Sequence, residues 1–376
     1  MTSAAGSSVS LVRVGVVGAG VAGLTAALAL QREGHEVQVY VQAAELRTGG
    51  FGFNLWTNAV SPLHALGVDV PGEPFDHMSF RIGGRHRLTM KMQAPGRPHM
   101  NVERGGLLRA IFDCLRPSTV RFDSHVTAAD ELLGDGADLV VAADGVGSRL
   151  RPDVAASQRI SQPWAVWQAV IPQGGDLIEP MGGAVVLGRD RFYGLWRHPH
   201  GELCWFVEEP ALSLETSAEV MLARVAEDED PLVREIAMLT PVDRLGQWLA
   251  RDRRPTRQII GDRVVAIGDA THPMLPCIGQ GACTSIEDGV SLAVALRSSS
   301  VQESLTKYRR RRFPVAATRV ATARLACTLR RPSPVATAVA GTPVGIPFAY
   351  GAAAWMRVIN RADKRLLGDL DRTAEN

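Results

Sequence analysis

The chain has 376 residues, with 41 Lys+Arg against 39 Asp+Glu and a formal net charge of +2. At about 100–200 residues per domain, that length fits two domains, or one core with a large insertion. Hydrophobic residues at 46% and charged residues at 21% exclude a disordered, collagenous or coiled-coil chain, and the balanced charge leaves no electrostatic footprint for nucleic acid.

Met1–Ser10 is small and polar, without a basic n-region or an apolar h-region, so no signal peptide is expected. Leu11–Val17 reads as a buried strand, Val21–Arg32 as an Ala- and Leu-rich helix closed by Gly34, and Glu36–Val41 as a β-branched strand. This is a βαβ unit and implies a parallel sheet. Thr57–Leu66 predicts a short helix before Gly67, Phe80–Met92 mixes turn and strand residues, and Glu103–Leu115 predicts a helix. Asp138–Ala143 reads as a buried strand. Trp164–Val207 holds short aromatic and β-branched runs cut by Gly and Pro, the pattern of antiparallel β structure. Ala218–Met238 reads as an acidic helix, Arg263–Ile267 as a buried strand, Ile278–Leu296 as a small-residue helix and Ser304–Leu329 as a basic helix. Pro332–Met356 carries no charge but holds four prolines and three glycines, too many breaks for a spanning helix. It is expected to be buried or to cover a site.

The five cysteines, Cys114, Cys204, Cys277, Cys283 and Cys327, form no CxxC pair. An odd, scattered set fits reduced thiols in a cytoplasmic protein, and no metal site is expected.

Three motifs carry chemistry. Gly18-Ala19-Gly20-Val21-Ala22-Gly23 lies between the first strand and helix. Gly18 serves the tight turn, Gly20 lets a pyrophosphate approach the backbone, and Gly23 lets helix and strand pack closely. That fingerprint calls for a carboxylate at the end of the second strand. Here Val41 and Gln42 stand there, and Gln42 offers only a neutral hydrogen bond. The second motif, Asp144-Gly145-Val146-Gly147, follows a buried strand. The third begins with Gly268-Asp269 at a strand's C-terminal end, where α/β sheets bind ligands, and continues through a Pro-rich loop to Gly279-Gln280-Gly281-Ala282 at a helix start.

In order and spacing these motifs resemble the FAD-dependent aromatic hydroxylases, the single-component flavoprotein monooxygenases of the p-hydroxybenzoate and salicylate hydroxylase type. The resemblance runs from about Val12 to Pro314 and includes Leu46-Arg47, Gly50-Phe51-Gly52, Leu55-Trp56-Thr57-Asn58-Ala59, Glu103-Arg104 and Tyr308-Arg309-Arg310-Arg311-Arg312. It implies an α/β fold: a Rossmann-like FAD-binding domain with a parallel sheet, an inserted antiparallel β-sheet substrate domain, and C-terminal helices. The expected division is 11–78, 99–158 and 260–330 for FAD, 79–98 and 159–259 for substrate, and 331–376 as a C-terminal segment on the site or the FAD domain.

The resemblance further implies that Gly18, Gly20, Val21, Ala22 and Gly23 hold the FAD pyrophosphate. Arg47 and Arg104 would meet phosphate or ribityl oxygens, and Asp144 and Gly145 would serve FAD and the nicotinamide co-substrate. Asp269 would take the ribitol, and Pro276, Gly279, Gly281 and Ala282 would lie against the isoalloxazine. Two departures stand out: Val41 replaces the family's Glu, and Trp167-Gln168 replaces its Trp-Arg.

The implied reaction uses FAD, NADH or NADPH, and O2 to hydroxylate or epoxidise a small aromatic or apolar molecule through a flavin C4a-hydroperoxide. It needs no side-chain nucleophile. Pocket candidates are Asn54, Trp56, Tyr193, Trp196, Trp205, His272 and Pro276, although strand alternation equally suits a sheet core for the aromatic ones. His272 is expected to shape its turn, His198 and His200 to be solvated around Pro199, and Arg309–Arg312 to form a solvated helix face. The alternatives are an FAD-dependent oxidase or reductase, a halogenase, and a flavin-binding protein without turnover. Oligomeric state is open.

Overall fold

The structure is a computed structural model describing residues 11–92, 99–151, 159–188, 191–210, 216–297, 300–329, 366 and 368–370. The uncharged 332–356 stretch lies outside the described residues. The first unit is β1 (Arg13–Val17), α1 (Val21–Arg32) and β2 (Glu36–Tyr40). Helix α1 buries ten of its twelve residues, as an Ala- and Leu-rich sequence with a hydrophobic surface on all sides must. Its exit turns at Gly34, whose φ of 88° suits glycine.

Next come β3 (Phe53–Leu55), α2 (Thr57–Ala65), β4 (Glu73–Phe75), β5 (His77–Ile82), β6 (Arg85–Lys91), β7 (His99–Val102) and α3 (Arg104–Asp113). They are followed by β8 (Val120–Arg121), α4 (Ala129–Gly134), β9 (Leu139–Ala142), β10 (Arg159–Ile171), β11 (Gly182–Leu187), β12 (Phe192–His198) and β13 (Glu202–Pro210). The chain continues through α5 (Ala218–Ala226), α6 (Pro231–Leu239), β14 (Gly246–Arg253), β15 (Val264–Ala266), α7 (Gly281–Ala295) and α8 (Val301–Leu329). Where one helix is predicted over Ala218–Met238, there are two. Asp230 caps the second by accepting from the Leu232 amide at 2.9 Å, and Pro231 takes its first position.

A five-stranded parallel sheet has the order β15-β9-β1-β2-β8. Helices α1 and α7 pack together on it, so close that a Cβ on Gly289 would lie 2.7 Å from the Ala26 nitrogen. A seven-stranded sheet, β14-β10-β13-β12-β11-β5-β6, is antiparallel except for the β5–β11 pair, which runs parallel. A small third sheet, β3-β7-β4, has no counterpart in the sequence reading. Its strands have three or four residues each, too short to show a period. Strand β14 carries no strand signal, because GQWLARDR is mostly polar, yet it pairs along β10 across a bulge between Ser161 and Ala165. Among the described residues, no helix is long and apolar enough to cross a membrane, and no cluster of His, Cys, Asp or Glu could hold a metal.

Candidate active site

The order β15-β9-β1-β2 sets four loops side by side along one edge of the parallel sheet: 268–270, 143–145, 18–20 and 41–42. Three are the motif loops. The Gly18 amide donates to Tyr40 O at 2.9 Å, and Gly18 has φ 108°. A Cβ there would meet Ala143 O at 2.4 Å, and one on Gly23 would meet Gly18 O at 1.9 Å. A Cβ on Gly20 would meet nothing within 4 Å. Gly20 is the N-cap of α1, and no side chain caps that helix start. Gly18 and Gly23 therefore close the turn, while Gly20 borders a backbone-lined hollow at the positive end of a helix. A pyrophosphate fits that cradle.

At the end of β2, Val41 donates its amide to Arg121 O at 2.9 Å and packs its side chain on the core. Gln42 is exposed. The exposed Arg121 guanidinium lies 5.8 Å from the centre of the Tyr40 ring. The second loop keeps Asp144 exposed, its Oδ2 accepting from the Arg149 amide at 3.3 Å. Gly145, with φ 84°, borders open space.

Arg104 opens α3 and donates through Nη1 to Arg47 O at 3.2 Å and Gly49 O at 2.8 Å. It ties down the 47–50 loop, and burial pulls its pKa down. Arg47 itself is exposed.

Asp269 combines two properties. It lies deep enough in the fold for burial to push its carboxyl up, opposed by the nearby His272, yet its own surface is exposed. Asp269 stands open on the same sheet edge as the Gly20 hollow, and the space between them is the candidate cleft. The loop that follows turns at Gly279, φ 61°, where a Cβ would stand 2.9 Å from Trp56 Nε1. That indole N–H is buried without a hydrogen-bond partner among the described residues. Pro276, Gly281 and Ala282 are half-buried, and Gly281 starts α7.

These loops fit a flavin dinucleotide. Gly20 leaves the space for its phosphates and Asp269 offers the acceptor for its ribityl hydroxyls. Asp269→Asn separates that role from stability. The variant should melt close to the parent without flavin, because Asp269 is exposed, and bind FAD about tenfold more weakly, having lost a charge-assisted bond. Paired melting curves and FAD titrations measure both.

Beneath the cleft lies a buried charge cluster that the sequence reading missed. Arg312 Nε reaches Asp288 Oδ1 at 2.7 Å and Arg312 Nη1 reaches Glu287 Oε2 at 2.8 Å. Arg319 Nη1 contacts Glu287 Oε2 at 2.6 Å, and Asn58 donates to Glu287 Oε1 at 2.8 Å. Asp288 also meets His272 Nε2 and accepts from the Gly268 amide at 3.0 Å. Burial alone would push both carboxyls up, but Arg319 and Arg312 hold Glu287 below its ordinary range, and His272 and Arg312 hold Asp288 below its own. The expected solvated face at Arg309–Arg312 is corrected for Arg312, which is 2% exposed. Two signals pointed here: Glu287-Asp288 interrupts a small-residue helix, and Arg312 and Arg319 stand seven apart, on one face of α8.

The large sheet is buried on both sides. Tyr193 and Trp205 face α5 and α6, in a core with Met221, Val225, Val233 and Ile236. Tyr193 donates its hydroxyl to Asp228 at 2.9 Å and Trp205 its indole N–H to Thr240 at 3.0 Å. Neither lines the cleft, which corrects their candidacy as pocket residues. The opposite face carries Trp164 and Val166, packed with Leu275 and Ile278 of the loop before α7 and with the half-buried Phe206 and Met274. Trp196 and Phe192 stand 5.6 and 5.8 Å from Phe206, ring to ring. Gln168 donates to Gly52 O at 3.0 Å, so the residue in place of the family's Arg anchors a loop. Asn54 is half-buried and bonded to Asn101; Trp56 is buried, edge-on to Phe75 and His99. His198 is not solvated: it is 3% exposed, with Nδ1 2.8 Å from Glu202, whereas His200 is exposed.

Comparison with known proteins agrees with this geometry. A sequence profile described as an FAD binding domain matches residues 125–323, just over half of the chain. One for an NAD(P)-binding Rossmann-like domain matches 16–50. The chain is 28% identical over 335 residues to an FAD-dependent urate hydroxylase of Klebsiella pneumoniae, covering 79% of this chain and 85% of that one. It is 27% identical over 324 residues to a 6-hydroxynicotinate 3-monooxygenase of Pseudomonas fluorescens, covering 76% and 82%. In fold it resembles the crystal structure of Klebsiella pneumoniae HpxO complexed with FAD and uric acid. The TM-score is 0.77, with 24% identity and 97% of each chain covered.

Proposed function

The chain belongs to the FAD-dependent aromatic hydroxylases, and from that premise we propose that it is an NAD(P)H-consuming monooxygenase that places one oxygen atom from O2 on a small aromatic molecule. The observation that carries this reading is the alignment of four loops, three of them motif loops, along one edge of the parallel sheet, with an apolar, aromatic face of the large sheet packed against the loop that follows Asp269. When bound, FAD supplies the two-electron chemistry, accepting a hydride from the nicotinamide and passing the electrons to O2.

The chain's own residues do the rest. The α1 amides around Gly20 would hold the pyrophosphate, and Asp269 would orient the ribityl chain. The Pro276–Ala282 loop would lie against the isoalloxazine, with Gly279 close to the Trp56 indole nitrogen. Trp164, Val166, Trp196 and Phe206 exclude water and fix an aromatic ring by shape and edge-to-face contact. This face offers no arginine for a substrate carboxylate at Gln168, which supports a neutral ring over a benzoate.

The test begins with the visible spectrum of the gel-filtered protein. One FAD per chain is expected, followed by NADH or NADPH oxidation stimulated by a neutral aromatic compound, and product carrying label from isotopically labelled O2. NAD(P)H oxidation that yields only peroxide, with every ring tested unlabelled, would overturn the monooxygenase reading in favour of an oxidase. A protein that neither holds nor takes up FAD would overturn it at the first step.

A further inference from the structure

We propose that Cys277 and Cys327 form a redox modification site: hydrogen peroxide oxidises Cys277, and Cys327 then closes a disulfide that ties the loop before α7 to α8. The oxidant comes from the reaction itself. With no ring in place, NAD(P)H, a proton and O2 become NAD(P)+ and H2O2. The source of the peroxide therefore rests on the proposed function, while the thiol chemistry does not.

All five cysteines are reduced, and the fold separates them. Cys204 and Cys283 are buried, and burial pushes both thiols up to about 12. Cys114 lies at the end of α3, its Sγ 3.7 Å from Gly67 O. Cys277 and Cys327 instead share one apolar cluster with Trp164, Val166, Leu275 and Ile278. Cys277 sits in the short turn Pro276–Ile278, which packs on α8. Its Sγ donates to Ala323 O at 3.2 Å. Cys327 stands four residues after Ala323, one helical turn on. In an α-helix the carbonyl of residue i points at residue i+4, and the side chain of residue i+4 leans back over the preceding turn. The Cys327 side chain therefore hangs beside the carbonyl that the Cys277 thiol already holds, and the two sulfurs converge on one atom.

Access sets the order of events. Cys277 is half-buried in the loop that would lie against the isoalloxazine, whereas Cys327 is 5% exposed. The Cys277 sulfur gives up its proton and takes one oxygen of H2O2. The O–O bond breaks, and the other oxygen leaves with that proton as water. The sulfur has then lost two electrons to the peroxide and stands as a sulfenic acid. The Cys327 sulfur attacks it, the S–S bond forms and the S–O bond breaks, and hydroxide leaves with the Cys327 proton as a second water. In sum, two thiols and one H2O2 give one disulfide and two waters. The bond fixes the loop to α8 one residue from Pro276, so turnover without a ring shuts itself down, and a dithiol reductant reopens it. Thiols that rest reduced and oxidise transiently are the pattern of redox sensing inside cells.

The test treats the full-length, FAD-loaded protein with H2O2, blocks the remaining thiols by alkylation and digests it with trypsin without reduction. Mass spectrometry should find the peptide Val264–Arg297 joined to Leu325–Arg330, and dithiothreitol should part them. Because Val264–Arg297 also holds Cys283, fragmentation must place the bond on Cys277. In Cys327→Ala the sulfenic acid has no partner thiol, so Cys277 should run on to the sulfinic acid, a gain of two oxygens that dithiothreitol does not reverse. NAD(P)H oxidation should fall several-fold in the treated wild type and return with dithiothreitol, and treated Cys327→Ala should not respond to the reductant. A treated wild type whose thiols stay reduced, or join in any other pair, overturns the site. A Cys277–Cys327 bond that leaves NAD(P)H oxidation unchanged overturns its role in turnover. Added peroxide decides the bond whether or not the protein makes its own, so turnover that yields neither H2O2 nor labelled product overturns the proposed function alone.

Discussion

Gly20→Asp should leave the protein at least as stable as the parent and lose its flavin, whereas Gly23→Ala should lose stability along with the flavin. The two glycines are three residues apart and face different surroundings. Gly20 holds an extended conformation, φ −81° and ψ −177°, that any residue adopts. Its Cβ direction is open. An aspartate there takes up the N-cap role that α1 lacks, accepting from an amide of the first turn and stabilising the helix by a few tenths of a kcal/mol over glycine. The same carboxylate then occupies the anion cradle. FAD would forfeit its charge-assisted bonds to those amides and meet a like charge. Two such bonds at about 2 kcal/mol each make the affinity fall on the order of a thousandfold.

Gly23 has no such room. Its Cβ would lie 1.9 Å from Gly18 O, a backbone atom. The turn must open or the helix must move off the strand, and overpacking of this kind costs about 1–3 kcal/mol or more. Melting curves of the flavin-free proteins, set beside FAD titrations, read both effects. A Gly20→Asp protein that still purifies yellow would refute the placement of the pyrophosphate at α1.

The contrast shows how much the residues disclosed on their own. The N-terminal unit was legible because strand, glycine turn and Ala-rich helix each carry a local signal and agree. Helix α1 runs from Val21 to Arg32 as predicted. The pocket aromatics were not legible, for a physical reason. On β12, Phe192, Gly194 and Trp196 point one way and Tyr193 and Leu195 the other, and both faces are buried. Alternation reveals a sheet's direction only when one face is polar. Without a polar face, period two separates the residues into two sets and cannot say which set meets the cleft. Arg312 was hidden differently. Within a run of four arginines it looks like solvated surface, and its burial follows from Glu287 and Asp288, some 25 residues earlier in sequence. The third sheet has neither local period nor motif, since His99–Val102 joins strands that start at Phe53 and Glu73.

Arg312→Leu should be the most destabilising single change in the charge cluster beneath the 268–282 loop, costing about 3–5 kcal/mol at neutral pH, because it leaves buried carboxylates undercompensated. Arg312 is shared between Glu287 and Asp288. After its removal, Glu287 keeps Arg319 and Asn58, while Asp288 keeps only His272 and the Gly268 amide among the contacts described above. The sign of the pH dependence follows from the lowered carboxyls. A group whose folded pKa lies below its unfolded value stabilises the fold above the unfolded value, about 4 for a carboxylate, and loses that contribution as pH falls through the folded one. In the parent, stability should therefore decline as pH falls below about 4.5. In Arg312→Leu the Asp288 carboxyl rises toward or above its unfolded value, so that decline flattens and the gap between the two proteins narrows in acid. Adding Asp288→Asn to Arg312→Leu should recover part of the loss at pH 7, since it removes the stranded charge. Melting temperatures of the three proteins from pH 7 to pH 4 measure this. A gap that stays constant across that range would mean Arg312 contributes through packing and not through charge, and would remove the electrostatic account of how α7 and α8 hold the loop from Gly268 to His272.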